Sequence, residues 1–140
     1  MLVSKWNRGG ATRVREIEAL VGSEATRLAV VGHRVLLGGA SAAALGLASG
    51  LWLESRGPGL LWIPLSMAGA AFISLFITST IIVRSMTRAA SQYVSGVLGY
   101  QVTVTCNQHV LRKSAWEQAI ERAKRVHERE AAGKPQRWHL

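Results

Sequence analysis

Two long stretches of this chain carry no charge, and the rest of its hydrophobic pattern is arranged around them. Residues 35–53, VLLGGASAAALGLASGLWL, run 19 positions without a charged side chain, and residues 60–83, LLWIPLSMAGAAFISLFITSTIIV, run 24. A helix rises about 1.5 Å per residue, so roughly 20 apolar residues cross about 30 Å of hydrocarbon. Each stretch therefore predicts a transmembrane helix. Between them, Glu54-Ser55-Arg56-Gly57-Pro58-Gly59 is turn chemistry, with two opposite charges at its tip. So short a link forces an antiparallel hairpin. Pro64 falls in the first turns of the second span, where its missing N–H costs least.

Outside the spans the pattern becomes amphipathic. From Thr12, Val14, Ile17, Leu20 and Val21 recur at helical spacing, predicting a short helix lying on the membrane surface and ended by Gly22. Ser23 then suits the N-cap of a helix that runs through Arg27, His33 and Arg34 into the bilayer. After the second span, Gln101-Val102-Thr103-Val104-Thr105-Cys106 alternates, which predicts a short strand following the Gly99-Tyr100 break. Ser114 and Glu117 have capping-box spacing and open a helix over 115–132, on which Trp116, Ala119, Ile120, Ala123 and Val126 share a face. The expected fold is a mainly α membrane protein: a two-helix hairpin (35–83), a basic arm and amphipathic helix before it (1–34), and a basic extramembrane region with a short β element after it (84–140).

Charge fixes the orientation expected of that hairpin. Lys and Arg outnumber acids 6 to 3 before the first span and 10 to 4 after the second, with one of each between, so the local charges are +3, 0 and +6. Basic flanks stay on the cytoplasmic or matrix side, which places both flanks together and the loop opposite. Trp52 and Trp62 flank the loop at equivalent depth, while Arg34, Arg84 and Arg88 mark the other interface. Residues 1–15 carry Lys5, Arg8, Arg13 and Arg15 without an acid, a composition that suits a mitochondrial targeting segment.

Small residues mark candidate packing faces. Gly38, Ala42, Gly46 and Gly50 recur every fourth position in the first span, and Ser66, Ala70, Ser74 and Thr78 do so in the second. Such stripes let helix backbones approach closely where the hydrophobic effect cannot drive association, either within the hairpin or against another subunit. On the tail helix, Trp116, Ile120 and Ala123 form a narrow apolar face between charges of both signs, suited to docking on a soluble part of a neighbour.

No constellation points to catalysis. Cys106 is the only cysteine, His109, His127 and His139 lack the spacing of metal ligands, and His33 has no second histidine in either span. Glu121 and Arg125 make an ordinary i, i+4 pair, and no glycine cluster forms a phosphate loop. The expectation is a non-enzyme without a catalytic, cofactor or metal site. Its basic flanks suit anionic lipid such as cardiolipin and partner membrane subunits; four glutamates interleaved with the tail's basic residues disfavour nucleic acid.

Arg27 at the entry to the first span, the exit Arg84-Ser85-Met86-Thr87-Arg88, and Gly99-Tyr100-Gln101-Val102-Thr103-Val104-Thr105 together resemble small two-span mitochondrial inner-membrane hairpin proteins that help assemble respiratory-chain complexes or ATP synthase, over about residues 24–106. The resemblance implies an inner-membrane location with the basic flanks in the matrix. The function expected is a non-catalytic accessory subunit of such a complex. An assembly factor is the first alternative, and a holin-like bacterial or phage pore, with both flanks in the cytoplasm, the second.

Overall fold

The structure is a computed structural model and describes residues 13–57, 59, 62–106 and 111–133. The basic arm before Arg13, with its expected targeting role, and the tail after Gly133 lie outside the described residues. Among those described the chain is mainly helical: α1 (residues 13–21), α2 (Ser23–Glu54), α3 (Trp62–Leu98) and α4 (Lys113–Ala131).

Helices α2 and α3 are long and apolar enough to cross a membrane. At 32 and 37 residues they extend about 48 and 55 Å, well beyond the roughly 30 Å of a hydrocarbon layer. Each continues past its apolar stretch on the side away from the loop. The close approaches between them are Gly50 to Pro64, Gly39 to Leu75 and Gly22 to Tyr93. These residue numbers sum to 114 or 115, so the two helices pack antiparallel in one unbroken register.

The face of α2 turned toward α3 follows a seven-residue repeat. Ala25, Ala29, Gly32 and Gly50 are buried, and Gly39, Ala43, Gly46 and Leu53 are half-buried. Steps of three and four residues hold a seam against a neighbouring helix. A strict four-residue step gains about 40° per repeat in a helix of 3.6 residues per turn, so the stripe starting at Gly38 winds around α2 by about 120° before it reaches Gly50. That is why Gly50 is buried against Pro64 while Gly38 and Ala42 face outward.

Beyond the apolar stretches the extended helix ends form a head with its own core. Ile17 and Val21 of α1, Ala25 and Ala29 of α2, Met86, Ala90 and Val94 of α3, Val102, Val104 and Cys106 of the following segment, and Trp116 and Ala123 of α4 make one buried cluster. The apolar face of α1, expected on the membrane surface, is spent here: Ile17 and Val21 are wholly inaccessible. Two small residues at the crossing, Ala25 and Ala29, fall opposite Ala90 and Met86 in the α2/α3 register, and all four are fully buried. The regions before and after the two apolar stretches, expected to be separate, thus meet in one packed unit.

Gly22 joins α1 to α2. Its φ of 86° and ψ of 165° suit a residue without a β-carbon, and Tyr93 lies 2.9 Å from where that carbon would stand. Its N–H closes α1 on the Glu18 carbonyl at 2.9 Å, and its own carbonyl accepts the buried Thr26 hydroxyl at 2.8 Å. Gly22, not Ser23, is therefore the N-cap of α2. Similarly, α4 is capped at Arg112 without a side-chain bond; Ser114 lies inside the helix, and Glu117 pairs with Lys113 at 3.7 Å rather than closing a capping box. The Glu121–Arg125 pair forms as expected, at 3.8 Å.

The expected β element is not a strand among the described residues. Residues 101–106 are extended, with Val102, Val104 and Cys106 inward and Gln101, Thr103 and Thr105 outward, but they pair with a helix. Val102 N–H donates to Ser95 Oγ at 2.9 Å, and Val104 N–H donates to Ser91 Oγ at 2.9 Å. Two residues of extended chain advance about 6.6 Å and four residues of helix about 6 Å, so the two repeats match. Gly99, at φ 78°, provides the reversal that lays the segment back along α3.

Candidate functional site

The feature that sets this molecule apart is the surface of the α2/α3 pair. Leu36, Leu37, Leu45, Leu47 and Leu51 of α2, and Phe72, Ile73, Phe76, Ile77 and Ile81 of α3, are all exposed. The most apolar window of α3 contains no buried residue, and only 6% of that of α2 is buried. A core helix of a water-soluble domain would be covered; these helices carry apolar side chains outward on every side but the one they turn to each other.

The ends of this apolar belt are marked chemically. Trp52 and Trp62 lie at the same level in the α2/α3 register and are 60% and 74% exposed. The Arg56 guanidinium stands over the Trp52 ring, 4.6 Å from its centroid, a cation–π arrangement that suits an interfacial residue. Arg34, Arg84 and Arg88 are exposed at the opposite end, and Arg27 falls level with Arg88. From Trp52 to Arg34 along α2 is about 27 Å, and from Trp62 to Arg84 along α3 about 33 Å. Both values bracket the thickness of a bilayer's hydrocarbon core. His33 is exposed beside Arg34.

The small-residue stripes divide between the two sides of α2 and α3. Gly50 is the stripe residue that seats the hairpin, with Pro64 carbons 3.0 and 3.2 Å from where its β-carbon would be. Gly46 is half-buried, and Thr78 is half-buried on α3. Gly38, Ala42, Ser66, Ala70 and Ser74 are exposed and so do not form the α2/α3 contact. No atom lies within 4 Å of the space a β-carbon would take at Gly38 or Gly46. Near the loop, Gly46, Gly50 and Pro64 with Leu47, Leu51 and Leu65 line a shallow apolar crevice of about 160 Å³. Sequence spacing overlooked Gly39, where a β-carbon would meet a Leu75 methyl at 2.6 Å. The seven-residue repeat of Gly32, Gly39 and Gly46 was the signal that pointed to it.

On α4 the expected docking face is occupied by the chain itself. Trp116 is completely buried, Ala123 is 9% exposed, and Ile120 packs half-buried against the same core. A narrow apolar stripe on an isolated polar helix looks unpartnered because nothing local reveals α1, α3 and the 101–106 segment as its cover. What α4 leaves outside is charge, including the exposed Arg122, Arg125 and Arg129.

Cys106 is a free thiol tucked against this core, and burial pushes its pKa up. Among the described residues, no three His, Cys, Asp or Glu side chains converge as metal ligands do. Comparison with known proteins finds no matching family model, no similar curated protein and no similar solved structure.

Proposed function

We propose that this chain is a transmembrane hairpin serving as a non-catalytic accessory subunit of a multisubunit membrane complex. The observation that carries the reading is the outward stripe of Gly38 and Ala42, open to close approach, within an exposed apolar belt bounded by tryptophans at one end and arginines at the other. Within lipid, a stripe of that kind is most useful against another helix. The charge distribution supports an orientation with the head on the cytoplasmic or matrix side and the 55–59 loop across the membrane. Arg27, Arg34, Arg84 and Arg88 ring the head side of the belt, where they suit anionic headgroups. The mitochondrial inner membrane, and respiratory-chain complexes or ATP synthase within it, follow from the resemblance read in the sequence. A transient assembly factor is the second reading; the head's own packed core favours either over a pore-forming hairpin, which has no need of one.

Gentle detergent extraction followed by native gels and mass spectrometry separates these readings. Stoichiometric co-migration with other membrane proteins is the expected result for a subunit. Substoichiometric co-migration marks an assembly factor, and self-association alone would sink both. The orientation is tested separately with cysteines at the exposed Ser55 and Ser114 in a Cys106→Ser background. They are expected to react from opposite sides of the membrane, and labelling of both from one side rules out the hairpin.

A further inference from the structure

The serines of α3 engage only one edge of the extended segment. Val102 and Val104 turn their N–H groups to Ser95 and Ser91. In an extended chain the backbone groups of alternate residues point to opposite edges. Those of Gln101, Thr103 and Thr105 therefore face away from α3, and no hydrogen bond engages them among the described residues.

That edge is not simply open to solvent. It borders a groove of about 620 Å³, lined on one side by Gln101, Thr103 and Thr105 and on the other by Gln118, Arg122 and Val126 of α4. Tyr100 stacks on His127 with ring centroids 4.3 Å apart and planes 10° from parallel, which anchors the start of the segment near the end of α4. Counting back from that stack at about 3.3 Å per extended residue and 1.5 Å per helical residue puts Arg122 roughly level with Thr103. Both ion pairs of α4 use other residues, so Arg122 has no acidic partner among the described residues.

We propose that this groove binds an extended, acidic segment of another polypeptide, which adds as a strand to the Gln101–Thr103–Thr105 edge and places a carboxylate against Arg122. The inference rests on the accessory-subunit reading and names how the head would hold its partner. A second extended backbone matches donors and acceptors that repeat every two residues. The volume lies within the roughly 300–1,000 Å³ of ligand-binding clefts. The sign of the occupant follows from Arg122, which has no acidic partner among the described residues, while Glu130, the acid of the lining, falls beyond the Tyr100–His127 stack at the end of the groove.

A second copy of this chain does not fit. The segment runs antiparallel to α3, through pairings of residue 102 with 95 and 104 with 91, and hence roughly along the membrane normal when α3 spans it. Two copies in one bilayer are related by a two-fold axis along that normal, which leaves their segments parallel. The self-complementary ladder of an isologous pair is antiparallel and needs an axis across the strands, which would put the second hairpin in another membrane.

The test uses the full chain in lipid nanodiscs, with the synthetic peptide Thr-Val-Glu-Val-Thr-Val as probe and amide hydrogen exchange as readout. The amides of Thr103 and Thr105 are expected to exchange freely in the protein alone and to be protected when the probe is added, while Val102 and Val104 stay protected throughout. N-methylation of alternate probe amides, or Thr103→Pro in the protein, should weaken binding about tenfold or more through loss of backbone pairing. Retained protection at Val102 and Val104 shows that the Pro variant is folded, and should that variant misfold, the methylated probe still decides. Arg122→Glu should weaken this probe and favour one with Lys in place of Glu.

Three exchange and peptide results overturn the proposal, besides the co-migration result below: no protection at Thr103 and Thr105 at millimolar probe, equal binding of the N-methylated peptide, or protection already present without probe, which means the chain fills its own groove. Co-migration of the folded Thr103→Pro variant with a larger complex at wild-type level would remove the groove and leave the subunit reading standing. Probe binding by a wild-type chain that joins no complex would do the reverse.

Discussion

Val104 donates its backbone N–H to the Ser91 hydroxyl at 2.9 Å, and that hydroxyl passes its own proton to the Thr87 carbonyl one turn back at 2.7 Å. A side chain on a helix thus stands where a neighbouring strand would, and it is partly buried as it does so. Leaving a buried donor unpaired costs about 1–3 kcal/mol. Ser91→Ala and Ser95→Ala are each expected to destabilise the head by about that amount. Amide exchange should accelerate at Val104 in the first variant and at Val102 in the second. Uniform acceleration across α1 and α4, with no preference for the paired amide, would show that the bonds do not act locally.

Neighbouring glycines on α2 should behave oppositely. Gly39→Leu forces a bulky side chain into the position where even a β-carbon meets Leu75 at 2.6 Å, and overpacking of this kind costs about 1–3 kcal/mol. Gly38→Leu meets nothing within 4 Å and should leave the isolated hairpin unchanged. Resistance of the purified protein to dodecyl sulfate measures the first effect. Co-migration with partner membrane proteins measures the second, where only Gly38→Leu is expected to impair assembly of an intact monomer. Equal sulfate resistance of the two variants would remove the α2/α3 register described above.

Trp116 is a keystone of the head and not a docking anchor. Its side chain is fully buried among residues from four parts of the chain, and truncating a buried Trp costs about 3–5 kcal/mol. Trp116→Ala should therefore make the head protease-sensitive and lower the steady-state level of the protein, with membrane insertion of the spans retained. A variant that keeps a protease-resistant head but loses only its partners would restore the docking role.

Cys106 offers a probe of the same core through pH. Burial raises its pKa above the ordinary thiol value of about 8.5, so the folded head holds the proton more tightly than the unfolded chain does. The contribution of this group to stability is complete below about pH 8.5 and declines as pH rises past it. Alkylation at pH 8 is expected to be slow in the native protein and fast after denaturation. Cys106→Ser should flatten the alkaline loss of stability, and a rapid native reaction at pH 8 would place the thiol outside the core.

What could be read along the chain was what short-range physics decides. The 19- and 24-residue uncharged runs fix two long helices because an apolar run of that length has few other ways to satisfy its backbone. Glu54 to Gly59 fixes their reversal. The alternation of Val102, Val104 and Cys106 fixed which side chains turn inward, and the 3.6-residue period of Trp116, Ile120 and Ala123 did the same for α4.

What covers each of those faces was settled only in three dimensions. An alternating segment requires a partner for its backbone, but a pair of serines four residues apart serves as well as a strand, and local pattern does not distinguish them. A four-residue glycine stripe catches the eye, yet the seam follows a seven-residue repeat because seven residues drift only about 20° around a helix while four drift about 40°, so Gly39 lies inside and Gly38 outside. The amphipathic faces of α1 and α4 equally suit lipid, a neighbouring protein or each other. Tertiary packing chose the last, because α2 and α3 continue past their apolar stretches and bring Ile17, Met86 and Trp116, far apart in sequence, within reach of one another.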